Sequence, residues 1–337
     1  MVTRRQFLSA LSASSVASYA ASGLLTSEVL AKEVSRTVDA SRILDAAGAL
    51  PIKYGYAAIT WGADIVKAME DISAVGFRAI QLRGEAFAQY GDKPKALREM
   101  LDKHHLTFAV LSSGNLSIDP ARQQEMLALH TQHAQFVKDA GGLYLQVIDE
   151  RPKGRPVVPD DYRRLGQLMT ELGKRTGNLG VPLVYHHHMN STGEKTHEVA
   201  AVLDAADKRH VRLLFDTAHY QQGGGDPVAA IRTYRDWIDV VHLKDVRPAP
   251  ESGRSSGSSG PATPKPDAVG SSVGGYQFVE LGRGRVDLPG VFEALREINY
   301  RKWAIVELDR VPDPGRTPKD AAETNKRYLL ETMHQTI

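Results

Sequence analysis

The chain has 337 residues, a formal net charge of +2 at pH 7 and no cysteine. With 42% hydrophobic and 24% charged residues, it has the composition of a soluble globular protein with a full core, in one large or two ordinary domains. The lack of cysteine excludes disulfides, thiolate metal sites and cysteine nucleophiles. Because the net charge is small, we expect no nucleic-acid partner.

The first 31 residues have the three-part layout of an export signal. Residues 3–8 (TRRQFL) carry a twin-arginine pattern, residues 8–25 are apolar and rich in Ser and Ala, and residues 29–31 (VLA) offer a cleavage site. The apolar run is short and weak for a membrane span. The segment resembles bacterial twin-arginine signals. The resemblance implies export of the folded protein to the periplasm or beyond, with no stable membrane insertion after the signal is removed. Residues 32–50 are interpreted as an N-terminal tail.

From residue 51 onward, strand and helix patterns alternate eight times. The predicted strands are 54–61, 77–82, 106–111, 143–148 and 181–185, followed by strands that end near residues 216, 242 and 307. The predicted helices are 65–75, 93–104, 120–140, 160–176, 197–206, 226–237, 288–298 and 318–333.

The strand patterns are nearly continuous apolar runs, which is typical of parallel strands buried on both faces. Eight such units in about 280 residues predict an α/β fold, a single (β/α)8 TIM barrel over residues 51–337. The alternative is an open doubly wound sheet, which normally has a glycine-rich phosphate loop after its first strand. Residues 59–62 (ITWG) do not form such a loop.

Residues 248–275 interrupt the alternation and are rich in Ser, Gly and Pro. This composition cannot bury a core, so we expect a flexible loop. It follows the seventh strand and would lie at the C-terminal face of the barrel, either as a surface insertion or as a lid over the site.

Four successive strands end in residues of the metal-ligand type: His186, Asp216, His242 and Glu307. Active sites of TIM barrels lie at the C-terminal ends of the strands, so these side chains would surround one opening. Two imidazoles and two carboxylates suit a divalent metal such as Mn, Zn, Co, Fe(II) or Mg. The sequence therefore predicts a metal site.

The same segments resemble a known family. Residues 185–188 (YHHH), 215–219 (FDTAH), 242–246 (HLKDV), 281–287 (LGRGRVD) and 306–309 (VELD) resemble the inosose dehydratase branch of the xylose-isomerase-like (sugar phosphate isomerase/epimerase) superfamily. The resemblance covers about residues 54–333. It implies a divalent metal held by Glu, Asp, His and Glu from strands five to eight. Asp216, His242 and Glu307 match the last three positions, whereas His186 stands where the epimerases have Glu.

The resemblance implies a metal-dependent isomerase or epimerase that removes a proton beside the carbonyl of a sugar, keto-sugar or cyclitol. A dehydratase acting on an inosose or keto-sugar is the alternative, because His186 disturbs the symmetric two-glutamate scheme of the epimerases. A non-catalytic sugar-binding protein is the second alternative. Endonuclease IV shares the barrel, but this chain lacks a basic surface for DNA. The catalytic candidates are Glu307, His186 and Lys244, with Asp309 as a supporting carboxylate.

Further residues near the strand ends are candidates for contact with a small sugar or cyclitol substrate: His188, His219, Trp61 and Arg83. His130 and His133 lie on a predicted helix, and we expect them at the surface.

Overall fold

The computed structural model describes residues 48–249 and 275–337. The export signal predicted for residues 1–31, most of the predicted tail and residues 250–274 of the predicted loop lie outside the described residues. In the part of the chain that is described, no helix has the length and apolar character needed to cross a membrane.

Eight parallel strands form a closed barrel, in the spatial order β1-β10-β7-β6-β5-β4-β3-β2. The predicted TIM barrel is confirmed, and the open doubly wound sheet is wrong because β1 pairs with both β2 and β10. The barrel strands are β1 Lys53–Ala57, β2 Ala79–Arg83, β3 Thr107–Leu116, β4 Tyr144–Asp149, β5 Leu183–His186, β6 Val211–Asp216, β7 Ile238–Leu243 and β10 Trp303–Val306.

Helices follow the strands and pack around the barrel. They are α1 Ile65–Val75, α2 Gly84–Tyr90, α3 Pro94–Lys103, α4 Gln123–Asp139, α5 Pro159–Asn178, α6 Thr196–Asp204, α7 Thr217–Gln222, α8 Pro227–Thr233, α9 Leu288–Glu297 and α10 Pro318–Arg327. Local signals set several of their ends. The Asp226 carboxylate accepts hydrogen bonds from two backbone N–H groups at the start of α8, directly before Pro227. Helix α1 ends at Gly76, whose φ of 105° favours glycine.

The structure adds two short helices, α2 and α7, directly after β2 and β6. Each has only six or seven residues, too few for a clear helical period. Predicted strand one also ends early, because Ala58–Trp61 forms a 3-10 turn.

A two-stranded antiparallel sheet stands beside the opening of the barrel. Strand β8, Asp245–Pro248, pairs with β9, Tyr276–Val279, so both ends of the predicted loop 248–275 are in or beside a hairpin. The Asp245 carboxylate anchors this hairpin, because it accepts hydrogen bonds from four backbone N–H groups, those of Val246, Gly282, Gly284 and Val286. The hairpin is therefore fixed to the end of β7.

His130 and His133 are buried rather than exposed, so the prediction of a surface position is wrong. Their rings lie 2.6 and 2.8 Å from the Ser113 hydroxyl, which connects them to β3. Polar partners from another element allow a helix to bury histidine, and helical periodicity alone does not reveal such partners.

Candidate metal centre and substrate cavity

The C-terminal ends of β5, β6, β7 and β10 bring the four predicted ligands together. Asp216 Oδ2 lies 3.5 Å from His186 Nε2 and 3.4 Å from His242 Nδ1. Glu307 Oε2 lies 3.5 Å from the same nitrogen of His242. The ligand atoms of Asp216, His242 and Glu307 all lie within 4.8 Å of one another, as do those of His186, Asp216 and His219.

Unpartnered polar atoms show how this cluster fits a cation. Among the described residues, four buried side-chain atoms have no hydrogen-bond partner: His186 Nε2, His187 Nδ1, Asp216 Oδ2 and His242 Nδ1. Three of them face the same point. Buried polar groups are nearly always satisfied, so their convergence on one point indicates a ligand. Oxygen and imidazole nitrogen are suitable donors for a divalent cation, and a cation fits the site.

The alternation of β5 separates the three consecutive histidines. His187 points away from the cluster, and its Nε2 accepts a hydrogen bond of 3.2 Å from the Asp216 backbone N–H. His186 points into the barrel. Asp216 is held from a second direction, because its Oδ1 accepts a 2.8 Å hydrogen bond from His219 N–H as the N-cap of α7. Oδ2 therefore remains directed into the barrel.

Two glutamines inside the barrel contact the cluster, and sequence analysis did not select them. Gln81 on β2 lies 2.8 Å from His242 Nε2 and 3.2 Å from Glu307 Oε2. Gln146 on β4 lies 3.0 Å from His186 Nδ1 and 3.2 Å from Gln81. Both side chains are buried. The signal that could have identified them is a lone amide in the middle of each strand, with apolar residues on both sides of it.

A buried cation accompanies the carboxylates. Lys244 Nζ lies 2.9 Å from Glu307 Oε1 and 2.5 Å from Asp309 Oδ1. It also lies 4.1 Å from the centre of the Phe278 ring on β9. Burial favours the neutral amine, but the carboxylates of Asp309 and Glu307 outweigh it and raise the pKa of Lys244 above its usual value. Lys244 is therefore an ammonium at neutral pH and cannot accept a proton.

Charge and burial also fix the states of other site residues. Burial would raise the pKa of Glu307, but the electrostatic influence of His242 and of the Lys244 ammonium lowers it to about 2. Burial lowers the pKa of His186 to about 4, against the effect of Asp216. Burial likewise lowers the pKa of His219 well below its usual value. At neutral pH Glu307 is therefore ionised, and both imidazoles are neutral.

A cavity of about 360 Å³ opens beside the cluster. Among the predicted site residues, it is lined by His186, His188, Glu307 and Arg83. The lining does not include Trp61, His219 or Lys244, nor the predicted metal ligands Asp216 and His242. The indole N–H of Trp61 instead donates a 2.9 Å hydrogen bond to Asp71 on α1. The remaining lining residues are Ile59, Gln81, Gly84, Glu85, Ser112, Ser113, Gly114, Asn115, Gln146 and Ile148.

His188 and His219 stack beside the cavity, with ring centres 3.9 Å apart. His188 Nδ1 lies 2.7 Å from the carbonyl oxygen of Met189. A carbonyl oxygen only accepts, so Nδ1 carries a proton, and Nε2 is the ring nitrogen that this contact leaves available. His219 Nδ1 accepts a 3.3 Å hydrogen bond from the Met189 backbone N–H. His188 thus adds a proton acceptor to the cavity.

The closed parallel barrel defines a TIM barrel, and the acidic and imidazole side chains at its C-terminal opening are compatible with a divalent metal. The sequence matches the family described as xylose isomerase-like TIM barrel over residues 69–332. The chain belongs to this family.

Individual relatives and solved structures agree with this family. An inosose dehydratase from Lacticaseibacillus casei is 28% identical over 314 residues, which cover 85% of this chain and 98% of the relative. The zinc-bound IolI protein has a TM-score of 0.65 at 18% identity, covering 83% of this chain and 97% of that one. An L-ribulose 3-epimerase has a TM-score of 0.64 at 17% identity, covering 84% and 96%. Together with the family match, the relatives support an enzyme of this superfamily.

Proposed function

We propose that the protein is a divalent-metal-dependent enzyme that removes a proton beside the carbonyl of a keto-sugar or cyclitol and expels a neighbouring hydroxyl as water. The observation that carries this proposal is the convergence of three unpartnered buried atoms on one point beside the cavity. The relative named inosose dehydratase, matched over nearly its whole length, supports the same reaction.

The cation would be held by Asp216, His242 and Glu307, whose ligand atoms are mutually close. His186 Nε2 reaches the same point and is the fourth ligand expected from the sequence. When bound there, the cation would polarise the substrate carbonyl and stabilise negative charge on its oxygen. The donor set is compatible with Mn, Zn, Co, Fe(II) or Mg.

Proton transfer is assigned to side chains that line the cavity. Glu307 is ionised and could accept the proton from carbon, although its low pKa makes it a weak base. His188 lines the cavity with its Nε2 not held by the Met189 contact, and it is the second candidate. Dehydration balances with a single such group, because the proton removed from carbon can leave on the departing hydroxyl as water. Lys244 would act by holding the Glu307 carboxylate, since the two are in direct contact.

Dehydration is favoured over the isomerase or epimerase reaction by the nature of the group on β5. In the two-glutamate scheme of the epimerases, carboxylates on opposite sides of the substrate exchange the proton. Here the β5 position holds His186, whose pKa is lowered to about 4 by burial, so it is a much weaker base than an unperturbed imidazole. Among the described residues, Glu307 is the carboxylate of the cluster that lines the cavity, which suits removal of the proton from one side.

The test is incubation of the metal-loaded protein with a panel of inososes and keto-sugars in deuterated water. The proposal expects loss of water from at least one substrate. Mass spectrometry would show this as a product lighter than the substrate by the mass of one water molecule. Deuterium at carbon without loss of water would instead establish isomerisation or epimerisation. Binding without either change would leave a sugar-binding protein.

We further propose that residues 1–31 direct export by the twin-arginine route to the periplasm or beyond. The paired arginines and the apolar run that follows them support this proposal. Replacing Arg4 and Arg5 together by Lys should retain the full-length protein in the cytoplasm, whereas the unchanged chain should appear outside it at the shorter, processed length. Equal export of both proteins would contradict the proposal.

A further inference from the structure

The two buried glutamines connect the cluster histidines through a chain of hydrogen bonds with a fixed direction. Glu307 Oε1 is paired with the Lys244 ammonium at 2.9 Å, and Oε2 faces Gln81 Nε2 at 3.2 Å. A carboxylate only accepts hydrogen bonds, so the amide nitrogen of Gln81 must face it and the amide oxygen must face His242 Nε2 at 2.8 Å. His242 therefore carries a proton on Nε2, and its other ring nitrogen, Nδ1, is the atom that faces Asp216 and Glu307.

The same reasoning continues to the other histidine. Gln81 Nε2 also donates to Gln146 Oε1 at 3.2 Å, which turns the amide nitrogen of Gln146 toward His186 Nδ1 at 3.0 Å. An amide nitrogen donates, so His186 Nδ1 must accept. The neutral ring has one N–H, which therefore lies on Nε2, 3.5 Å from Asp216 Oδ2. The two histidines thus present different groups to the same point: the Nδ1 of His242, whose other ring nitrogen carries a proton, and an N–H of His186.

Reversing the amide of Gln81 or Gln146 disrupts this series of hydrogen bonds. If Gln146 turned round to accept from His186 Nδ1, its nitrogen would face the nitrogen of Gln81. If Gln81 also turned, its oxygen would face the Glu307 carboxylate. Both side chains have little access to solvent, with 2% and 3% exposure, so a reversed amide would leave buried polar atoms facing atoms of the same kind, which is costly.

We propose that His186 is a hydrogen-bond donor to the substrate carbonyl oxygen at the metal centre and is not the fourth metal ligand, and that Gln81 and Gln146 are positioning residues that fix this tautomer. An N–H aimed at the point where negative charge develops on oxygen stabilises that charge without reorganisation. The centre would then have three protein ligands and remain open to substrate, as catalytic zinc sites do. The role toward substrate rests on the proposed function, whereas the tautomer does not.

The tautomer is measurable by ¹⁵N NMR of protein labelled at histidine, both metal-free and loaded with zinc. Signals of His186 are assigned by their loss in His186→Gln. We expect a proton bonded to Nε2 and none to Nδ1 in both forms, together with the opposite response at His242, where zinc shifts Nδ1. A bare His186 Nε2, or a zinc-induced shift at that nitrogen, would overturn the proposal. If the protein binds no zinc, the proposed metal centre fails, and the metal-free spectrum still decides the tautomer.

Gln146→Glu provides the sharper test, because glutamate has nearly the same shape. In this variant one carboxylate oxygen can still accept from Gln81, while the other can accept from His186 Nδ1 and from the Ser112 hydroxyl. In the unchanged protein that hydroxyl lies 3.3 Å from the Gln146 nitrogen. The His186 proton should move to Nδ1, and its Nε2 should become a ligand. Cobalt should then bind about 10-fold or more tightly, with a changed visible absorption spectrum. An unchanged His186 tautomer in this variant would refute the proposal.

Two further variants separate tautomer control from packing. Ser112→Ala keeps the contact between Gln146 and His186, so it should leave the tautomer and the cobalt spectrum as in the unchanged protein. Gln146→Met introduces no charge and removes the whole amide, both its donor to His186 and its acceptor for Gln81. Its His186 resonances should move from pure Nε2–H toward an average of both tautomers, and resonances that stay fixed in this variant would also count against the proposal.

Discussion

The ammonium of Lys244 lies 2.9 Å from Oε1 of Glu307, and the two side chains are 1% and 7% exposed. They stand at the ends of β7 and β10, which are neighbours in the barrel. This contact explains how a carboxylate can remain ionised at a buried position, since burial alone would favour its protonated form. It also means that any change of Lys244 acts on the Glu307 carboxylate.

Replacing Lys244 by Met should therefore destabilise the protein by about 3–5 kcal/mol, because it leaves the Glu307 and Asp309 carboxylates buried without their cation. Denaturant unfolding at pH 7 measures the loss. The double variant Lys244→Met with Asp309→Asn should recover part of it. The exposed pair of Lys208 and Asp236 offers the control, and Lys208→Met should change the stability by less than about 1 kcal/mol. Equal effects of the two lysine changes would contradict the role of the buried pair.

Metal content provides the next prediction. Asp216→Ala and His242→Ala should each lose the bound divalent cation, because each removes one of the closely spaced ligand atoms. Metal analysis of the purified proteins after dialysis measures the result. The matched control is Asp236→Ala, whose side chain is 70% exposed, and it should retain the metal content of the unchanged protein. Full metal occupancy in both site variants would show that the metal binds elsewhere in the protein.

Glu307→Gln separates binding from proton transfer. The amide keeps the size of the side chain but cannot accept a proton, so kcat should fall by at least about 100-fold, with a much smaller change in KM. Steady-state kinetics on the substrate found in the panel, with metal content measured in parallel, provides the comparison. Glu323→Gln, at the exposed surface of α10, is the control and should retain full activity. A normal rate in metal-loaded Glu307→Gln would assign the base to His188.

The burial of His130 predicts that the free energy of unfolding decreases as the pH is lowered. Burial lowers the pKa of His130 to about 4, below the value of about 6.5 expected in the unfolded chain. A group with a depressed folded pKa contributes its full stability above pH 6.5, and this contribution is lost as the pH falls toward 4. Between pH 7.5 and pH 4.5 the loss from this ring amounts to about 2–3 kcal/mol.

Unfolding free energies of His130→Gln at these two pH values should differ less than those of the unchanged protein, by about that amount. The control is His105→Asn, at an exposed position whose φ of 53° suits asparagine, and it should retain the acid lability of the unchanged protein. If the pH dependence of His130→Gln matches that of the unchanged protein, His130 is not the source of the lability.

The barrel could be predicted from the sequence because its signals are local. Continuous apolar strands alternate with helices that carry their own caps, such as Asp226 before Pro227. This local pattern indicates a parallel α/β fold without knowledge of any long-range contact. The four residues at the ends of β5, β6, β7 and β10 could be selected in the same way, since parallel strands place their C-terminal ends at one opening. The short helices α2 and α7 could not be predicted, because six or seven residues carry too weak a pattern. The end of strand one was also missed, because residues 58–61 form a 3-10 turn.

What only the tertiary structure decided concerns contacts between residues far apart in the chain. Gln81 and Gln146 are single amides between apolar neighbours in their strands, and their link to His242 and His186 exists only once the barrel closes. The burial of His130 likewise depends on a hydroxyl from β3, and the protonation of Lys244 depends on the carboxylates of two residues that directly follow β10. Residue type and spacing determined which side chains reach the opening of the barrel. Hydrogen-bond direction, charge state and burial arise from three-dimensional neighbours, so the folded structure alone determined how those side chains are held.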